Sequence, residues 1–403
     1  MRRHVVSPRF RPRPFRVRNR LGRAFRAVLA LAAVAALSSA TPPERRGSPG
    51  DPAGALRLNQ IQAMATHNSY HREVSFDEQR LMGKLDPNFR TLLYSHAGLP
   101  TQYERQRIRG IELDVFPDPE GGLYAKPLIR REAGLPPLRD PAWRKPGFKV
   151  LHWADFDYNT SCVTLRSCLR QVRTWSERRP GHVTAPVLLE LKRTDPRLEA
   201  RGGAKSPPWD TATLDALDRE IRAVFPEEAL LTPDDVRRKG GTLEESVLRH
   251  GWPRVAATRG QVMFLMDNDD PVIQDAYRAG GRESLQGRVL FTDSEPGRAD
   301  AAFMKVNDPT GGNKAVIQDL VSRGYFVRTR SDVPLDQASS GDTAMLRNAL
   351  DSGAQMVSTD FPVPGLAARH GSDYVAELPG GGVVRCNTVT LPAPDCPDRR
   401  LEP

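Results

Sequence analysis

Nine short apolar runs, separated by helical or loop-rich stretches, constrain this chain more than any other feature. They are IQAMAT (61–66), GIELDVF (110–116), FKVLHW (148–153), PVLLELK (186–192), QVMFLMD (261–267), RVLFT (288–292), AAFMKV (301–306), YFVRTR (325–330) and QMVSTDF (355–361). Several are apolar throughout, as strands buried on both faces of a parallel sheet are. Between them, 210–225 sets Leu214, Leu217, Ile221 and Val224 on one helical face behind the caps Asp210 and Thr211; 313–324 and 343–354 are helical patterns that stop at Gly324 and Gly353. This alternation predicts an α/β fold, a (β/α)8 TIM barrel with an extra or edge strand. A doubly wound open sheet is the rival. It would ordinarily carry a Gly-rich turn after its first strand, and none is present. Residues 193–260 are too long for a simple connection and read as a helical insertion after strand 4.

The formal charge of +10 suggests nucleic acid until it is located. Residues 1–46 hold twelve arginines and one acid, a net +11, which leaves 47–403 at −1. The basic character therefore belongs to the N-terminus, and nucleic-acid binding is excluded for the rest. That N-terminus has the order of an export signal: a basic stretch through Arg26, the apolar run AVLALAAVAAL (27–37), then SSA before Thr41. The expected organisation is a signal peptide over 1–40, a Pro/Gly-rich flexible leader over 41–57, the barrel over 58–370 and a C-terminal extension over 371–403. No later run approaches the ~18 apolar residues of a membrane span. The mature chain is expected to be secreted or periplasmic, monomeric and without a transmembrane segment.

Four cysteines fit export. Local pairing, Cys162–Cys168 and Cys386–Cys396, is the simplest of the three connectivities; zinc is the rival, but neither pair has knuckle spacing.

In a barrel, the C-terminal ends of the strands converge on one mouth. Those ends offer His67 and Asn68, then Glu112 and Asp114, then His152, then Glu190 and Lys192. Glu112/Asp114 and Glu190/Lys192 are spaced i, i+2, so each pair shares one face of its strand. Acids among apolar residues are costly unless paired or metal-bound. Asn68, Glu112, Asp114 and Glu190 form an oxygen set suited to a hard cation, Ca²⁺ above all. Two imidazoles without cysteine suit proton transfer near neutral pH.

THNSYH, IRGIELDVF, VLHWAD and PVLLELK, in that order, resemble the bacterial Ca²⁺-dependent phosphoinositide phospholipase C family, within the wider PLC-like barrel phosphodiesterases; GYFVRTRSDVP and SGAQMVSTDFP fit the same family. The resemblance covers roughly 58–365. It implies catalytic roles for His67 and His152 and calcium ligation by Asn68, Glu112, Asp114 and Glu190. More loosely, it puts Lys192, Lys305 and Arg328 or Arg330 among phosphate- and headgroup-binding cations. Trp153 after His152 and Leu-Lys after Glu190 depart from the animal enzymes. The implied activity is hydrolysis of phosphatidylinositol-type lipids at a membrane surface to diacylglycerol and inositol (cyclic) phosphate. Alternatives are a glycerophosphodiester phosphodiesterase on the same barrel and a non-catalytic phospholipid-binding barrel.

Other polar residues have plainer readings. His71 reads as a loop or supporting residue. His96, His182, His250 and His370 read as surface histidines. Asp155, Asp157 and Tyr158 read equally as pocket lining or as an Asx-rich loop. Asp360 reads as a mouth hydrogen-bonder or an arginine partner, and MDNDDP (266–271) as a turn rather than a calcium loop.

Overall fold

The computed structural model describes residues 55–391 and 401–402. The export signal, most of the leader and Cys396 lie outside the described residues. Eleven strands are present among those described: β1 (Ile61–Thr66), β2 (Ile111–Asp118), β3 (Gly147–Val150), β4 (Ala185–Leu191), β5 (Leu230–Leu231), β6 (Val262–Met266), β7 (Leu290–Thr292), β8 (Phe303–Lys305), β9 (Phe326–Arg330), β10 (Met356–Thr359) and β11 (Val384–Cys386).

Parallel pairing runs β2-β4-β6-β7 in one sheet and β8-β9-β10-β1 in the other. Two single parallel bridges, Ala65↔Gly110 and Asp293↔Phe303, join the sheets at both seams. The result is an eight-stranded (β/α)8 barrel closed thinly at two places. At the first seam, Gly110 has no alternative. A Cβ there would lie 2.8 Å from that of Ala65, so only glycine lets the strands approach.

All nine apolar runs become strands, but one runs the wrong way for a barrel stave. FKVLHW, read as the third barrel strand, forms β3 antiparallel to β2, with Val115↔Val150 and Asp118↔Gly147 in register. Apolar periodicity reports burial, not direction. β2 continues past the barrel rim to Asp118, and β3 folds back along that overhang as a ribbon above the mouth.

The segment 193–260 holds helices Pro196–Glu199, Thr211–Arg222, Pro233–Val236 and Leu243–His250, and also β5, which pairs with the start of β6. Asp210 caps the longest helix through Thr213 N–H at 2.8 Å. The C-terminal extension is not separate from the sheet: β11 pairs antiparallel with β1. Cys162 and Cys168 are disulfide-bonded, as is Cys386. No helix among the described residues is long and apolar enough to cross a membrane.

Candidate active site and metal centre

The carboxylates come from strand register. Glu112 and Asp114 lie on one face of β2, and Asp114 pairs directly with Glu190 of β4. Ligand oxygens of the three lie within 4.8 Å of one another. Glu112 and Asp114 are buried. Both Asp114 oxygens lack a hydrogen-bond partner among the described residues, although the Lys192 ammonium stands 3.3 Å from one of them and 3.0 Å from Glu190. Burial pushes the Asp114 carboxyl well above its ordinary range, with Lys192 opposing. Burial pushes Glu112 up to about 7, with Arg328 opposing. Asn68 lies among tyrosines: its Oδ1 accepts from Tyr70 Oη at 3.3 Å and its Nδ2 donates to Tyr94 Oη at 3.1 Å; burial, then the charge of Asp114, raises the Tyr70 phenol. Asn68 adopts φ +46°, a left-handed turn that asparagine tolerates better than most residues.

The first histidine stands beside this cluster. His67 Nδ1–H donates to Asp360 Oδ1 at 2.9 Å; Nε2 then faces Glu112 Oε1 at 3.6 Å and Arg330 Nη1 at 3.5 Å. Burial, then the charges of Arg330 and Arg328, hold the ring well below the ordinary imidazole value, so it is neutral. Asp360 is clamped in turn: Arg330 donates to its carboxylate at 3.0 Å, and its own backbone N–H donates to Asp332 at 3.0 Å. His96 is a correction to the surface reading: it is buried, and its Nε2–H donates to the His67 carbonyl at 2.9 Å. His182 is buried too, against Trp175 and Ser176.

The second histidine arrives by a different route. The turn 153–157 is closed by paired hydrogen bonds between Trp153 and Asp157, and His152 Nδ1 lies 2.8 Å from Asp157 Oδ2. Asp155 is the structural residue of this turn: at φ +70°, its carboxylate accepts from Leu128 N–H and Ala204 N–H. Asp157 is buried, which alone would raise its carboxyl, but His71 and His152 together hold it well below the usual range. Asp360 and His71 carry no local sequence signal of these contacts because their partners are far away, His67 and Asp360 being 293 positions apart; Asp157 meets His152 within its own turn but His71 from 86 positions away.

The four expected cations divide. Lys192 lies between two of the carboxylates. Lys305 donates to the Asp267 carbonyl and carboxylate at 2.6 and 2.9 Å. Arg328 is buried and spent on Glu112 at 2.6 Å, Ser358 at 3.0 Å and Asn307. Arg330 alone of the four faces a candidate catalytic histidine. MDNDDP is not a turn but an irregular link from the end of β6 to helix Pro271–Arg278, which Asp270 caps.

The family profile described as phosphoinositide phospholipase C, Ca²⁺-dependent, matches residues 56–388. The chain belongs to that family. It is accordingly a phosphoric diester hydrolase that uses calcium. Among solved structures, the calcium-dependent phosphoinositol-specific phospholipase C of a Pseudomonas species is 15% identical, with a TM-score of 0.49 over 83% of this chain and 96% of that one. The Ca²⁺-dependent phosphatidylinositol-specific enzyme of Streptomyces antibioticus is also 15% identical, TM-score 0.49, over 79% and 98%. A glycerophosphoryl diester phosphodiesterase of Parabacteroides distasonis is 13% identical, TM-score 0.29, over 77% and 86%. No curated protein matches the chain.

The residues present fit a calcium ion. Three carboxylates and an amide are hard oxygen donors. A buried aspartate whose two oxygens make no hydrogen bond, with one ammonium shared between it and Glu190, is a site that a further cation would stabilise.

Proposed function

We propose that this phospholipase C cleaves phosphatidylinositol-type lipids to diacylglycerol and an inositol cyclic phosphate, with His67 and His152 moving the protons. The observation that carries this reading is the pair of histidine–aspartate contacts, His67–Asp360 and His152–Asp157, the first with its Nε2 3.6 Å from Glu112 of the carboxylate cluster.

Each contact fixes a tautomer. With Nδ1–H given to Asp360, the neutral His67 ring presents its Nε2 lone pair and can take the proton of the attacking inositol hydroxyl. That hydroxyl oxygen forms a bond to phosphorus as the bond to the diacylglycerol oxygen breaks. An alkoxide is a poor leaving group, so His152 Nε2 delivers it a proton, the ring's charge countered by Asp157. Arg330, beside His67 Nε2, is placed to hold a phosphoryl oxygen. Asn68, Glu112, Asp114 and Glu190 would hold calcium, which when bound offsets negative charge developing on the phosphoryl group. Lys192 and Lys305 lie on the same mouth, engaged with acids that a bound substrate and cation would compete for.

A lipid surface suits the mouth. The loops after β1, β9 and β10 form a groove of about 800 Å³ whose lining includes Phe76, Phe89, Leu93 and Leu335 with Arg80, Arg90 and Arg369. Phe76 is 87% exposed. Apolar side chains among arginines match a lipid layer with anionic headgroups. The Cys162–Cys168 disulfide supports an exported mature chain.

Incubation with phosphatidylinositol, with and without EGTA, and ³¹P NMR of the product tests the reading. Inositol cyclic phosphate that disappears under EGTA is expected. Phosphatidic acid or glycerol phosphate as the phosphorus-bearing product would overturn it.

A further inference from the structure

We infer that His71 is a positioning residue for His152, acting through the one Asp157 oxygen that both rings share. The inference rests on the reading of His152 as proton donor. His71 has no exposed surface, so it touches neither solvent nor substrate. Its Nδ1 lies 2.9 Å from the Tyr94 carbonyl oxygen and its Nε2 lies 2.8 Å from Asp157 Oδ2. The same Oδ2 is 2.8 Å from His152 Nδ1. Asp157 is almost completely buried, so no bulk water competes for that oxygen.

The hydrogen inventory is restrictive. A backbone carbonyl can only accept, so His71 Nδ1 carries a hydrogen. A neutral His71 would then turn the Nε2 lone pair toward a carboxylate lone pair. With Asp157 ionised, all three contacts are satisfied only when His71 holds hydrogens on both nitrogens and His152 holds one on Nδ1. The Asp157 oxygen is thus anchored from behind by a fixed donor. His152 keeps Nε2 free of any hydrogen bond among the described residues.

The backbone ties this arrangement to the other histidine. His71 pairs with Thr160 in an antiparallel bridge, and Ser161 N–H donates to the Tyr70 carbonyl at 2.8 Å. The loop carrying His67 and the ribbon carrying His152 are therefore stitched together at His71. Its ring also stacks on Tyr94, with centroids 4.4 Å apart, and meets His152 edge-on at 5.9 Å. A side chain with two defined acceptors, one stacking partner and no exposed surface holds a single orientation.

His71→Phe keeps the stack and removes both hydrogen bonds; His71→Gln returns one donor toward Asp157. Kinetics on phosphatidylinositol vesicles, calcium titration calorimetry and ¹⁵N NMR of the His152 ring would be compared across wild type, both variants and His152→Ala. His71→Phe should lower kcat on the order of 10- to 100-fold, as loss of an outer partner of a working histidine does. KM and calcium affinity should stay within about twofold. In the deprotonated His152 ring the signal should change from the Nδ1–H tautomer alone to a mixture of tautomers, and His71→Gln should recover part of kcat. If His71→Phe fails to fold, His71→Gln alone carries the comparison, with an intermediate kcat expected. Wild-type kcat and an unchanged His152 tautomer in a folded variant would overturn the inference. An inactive wild type or a fully active His152→Ala would remove the functional reading instead; the tautomer measurement needs no substrate and still decides the positioning.

Discussion

The two halves of this site are built in opposite ways. The half we assign to the cation is written into strands: Glu112, Asp114 and Glu190 follow from β2 and β4 lying side by side in register. The half we assign to proton transfer is assembled from loops: His67 leans on Asp360 from the far end of the chain, and His152 leans on Asp157 in a ribbon that is no part of the barrel. The strand half satisfies its charge only in part: Arg328 holds Glu112 and Lys192 holds Glu190, but neither Asp114 oxygen makes a hydrogen bond. Both histidines of the loop half have a carboxylate on Nδ1. One half waits for a cation, and the other is already organised. Changes in the first should therefore alter calcium binding and apo stability together, whereas changes in the second should alter rate alone.

The largest effect should come from Asp114→Asn. Calcium affinity should collapse and kcat should fall by roughly 10³-fold, the scale of several kcal/mol of lost charge stabilisation. The calcium-free protein should at the same time melt higher, because a buried carboxyl whose ionised form burial and the neighbouring carboxylates penalise has become a neutral amide. Calorimetry and thermal melts check both signs. A variant that loses activity while binding calcium normally would break the division.

His152→Ala and His67→Ala should each lower kcat by about 10²- to 10⁴-fold, the range for loss of a positioned acid or base. Calcium affinity, read by the same calorimetry, should be retained in His152→Ala.

The strand half should also be the pH-sensitive half for metal binding. Burial raises the Glu112 carboxyl to about 7 in the cation-free fold, and as a proposed ligand it would have to lose that proton to bind calcium. The apparent calcium dissociation constant should rise as pH falls below 7, by at most about tenfold per pH unit for this one proton. Proton release on binding, measured in buffers of different ionisation enthalpy, checks it.

The smallest effect concerns the support beneath His67. Burial holds the His96 imidazole down to about 4. The unfolded ring titrates near 6.5, so the unfolded chain takes up the proton first, and stability is lost as pH falls from about 6.5 toward 4. His96→Gln retains a donor for the His67 carbonyl and removes the titration. Its stability relative to wild type should rise by about 1.4 kcal/mol per pH unit through that window, as read by denaturant titration at several pH values.

The same division explains what the sequence can reveal. A spacing of i, i+2 on an apolar strand is a local signal, and it suffices to put Glu112, Asp114, Glu190 and Lys192 on strand faces. All nine apolar runs are legible as strands. The two-residue β5 carries too few residues for a pattern, and β11, Val384-Arg385-Cys386, is not part of an apolar run. The direction of β3 is hidden because burial has no polarity along the chain. Asp360 meets both readings made of it, hydrogen-bonding His67 and pairing with Arg330, but its histidine, like the partners of Asp157 and His96, is brought close only by the fold or by the 153–157 turn. His71 is the instructive case. It sits four residues from His67 in plain view, but its partner oxygen belongs to a loop 86 positions away.

The most direct test of the division of labour replaces the leaving group. His152→Ala should be measured on phosphatidylinositol and on an inositol phosphodiester bearing a p-nitrophenyl group, with calcium saturating. A p-nitrophenolate departs without a proton. If His152 protonates the leaving oxygen, the variant should recover most of its lost rate on the aryl substrate, while His67→Ala should remain equally impaired on both. Equal losses for His152→Ala on the two substrates would contradict the assignment.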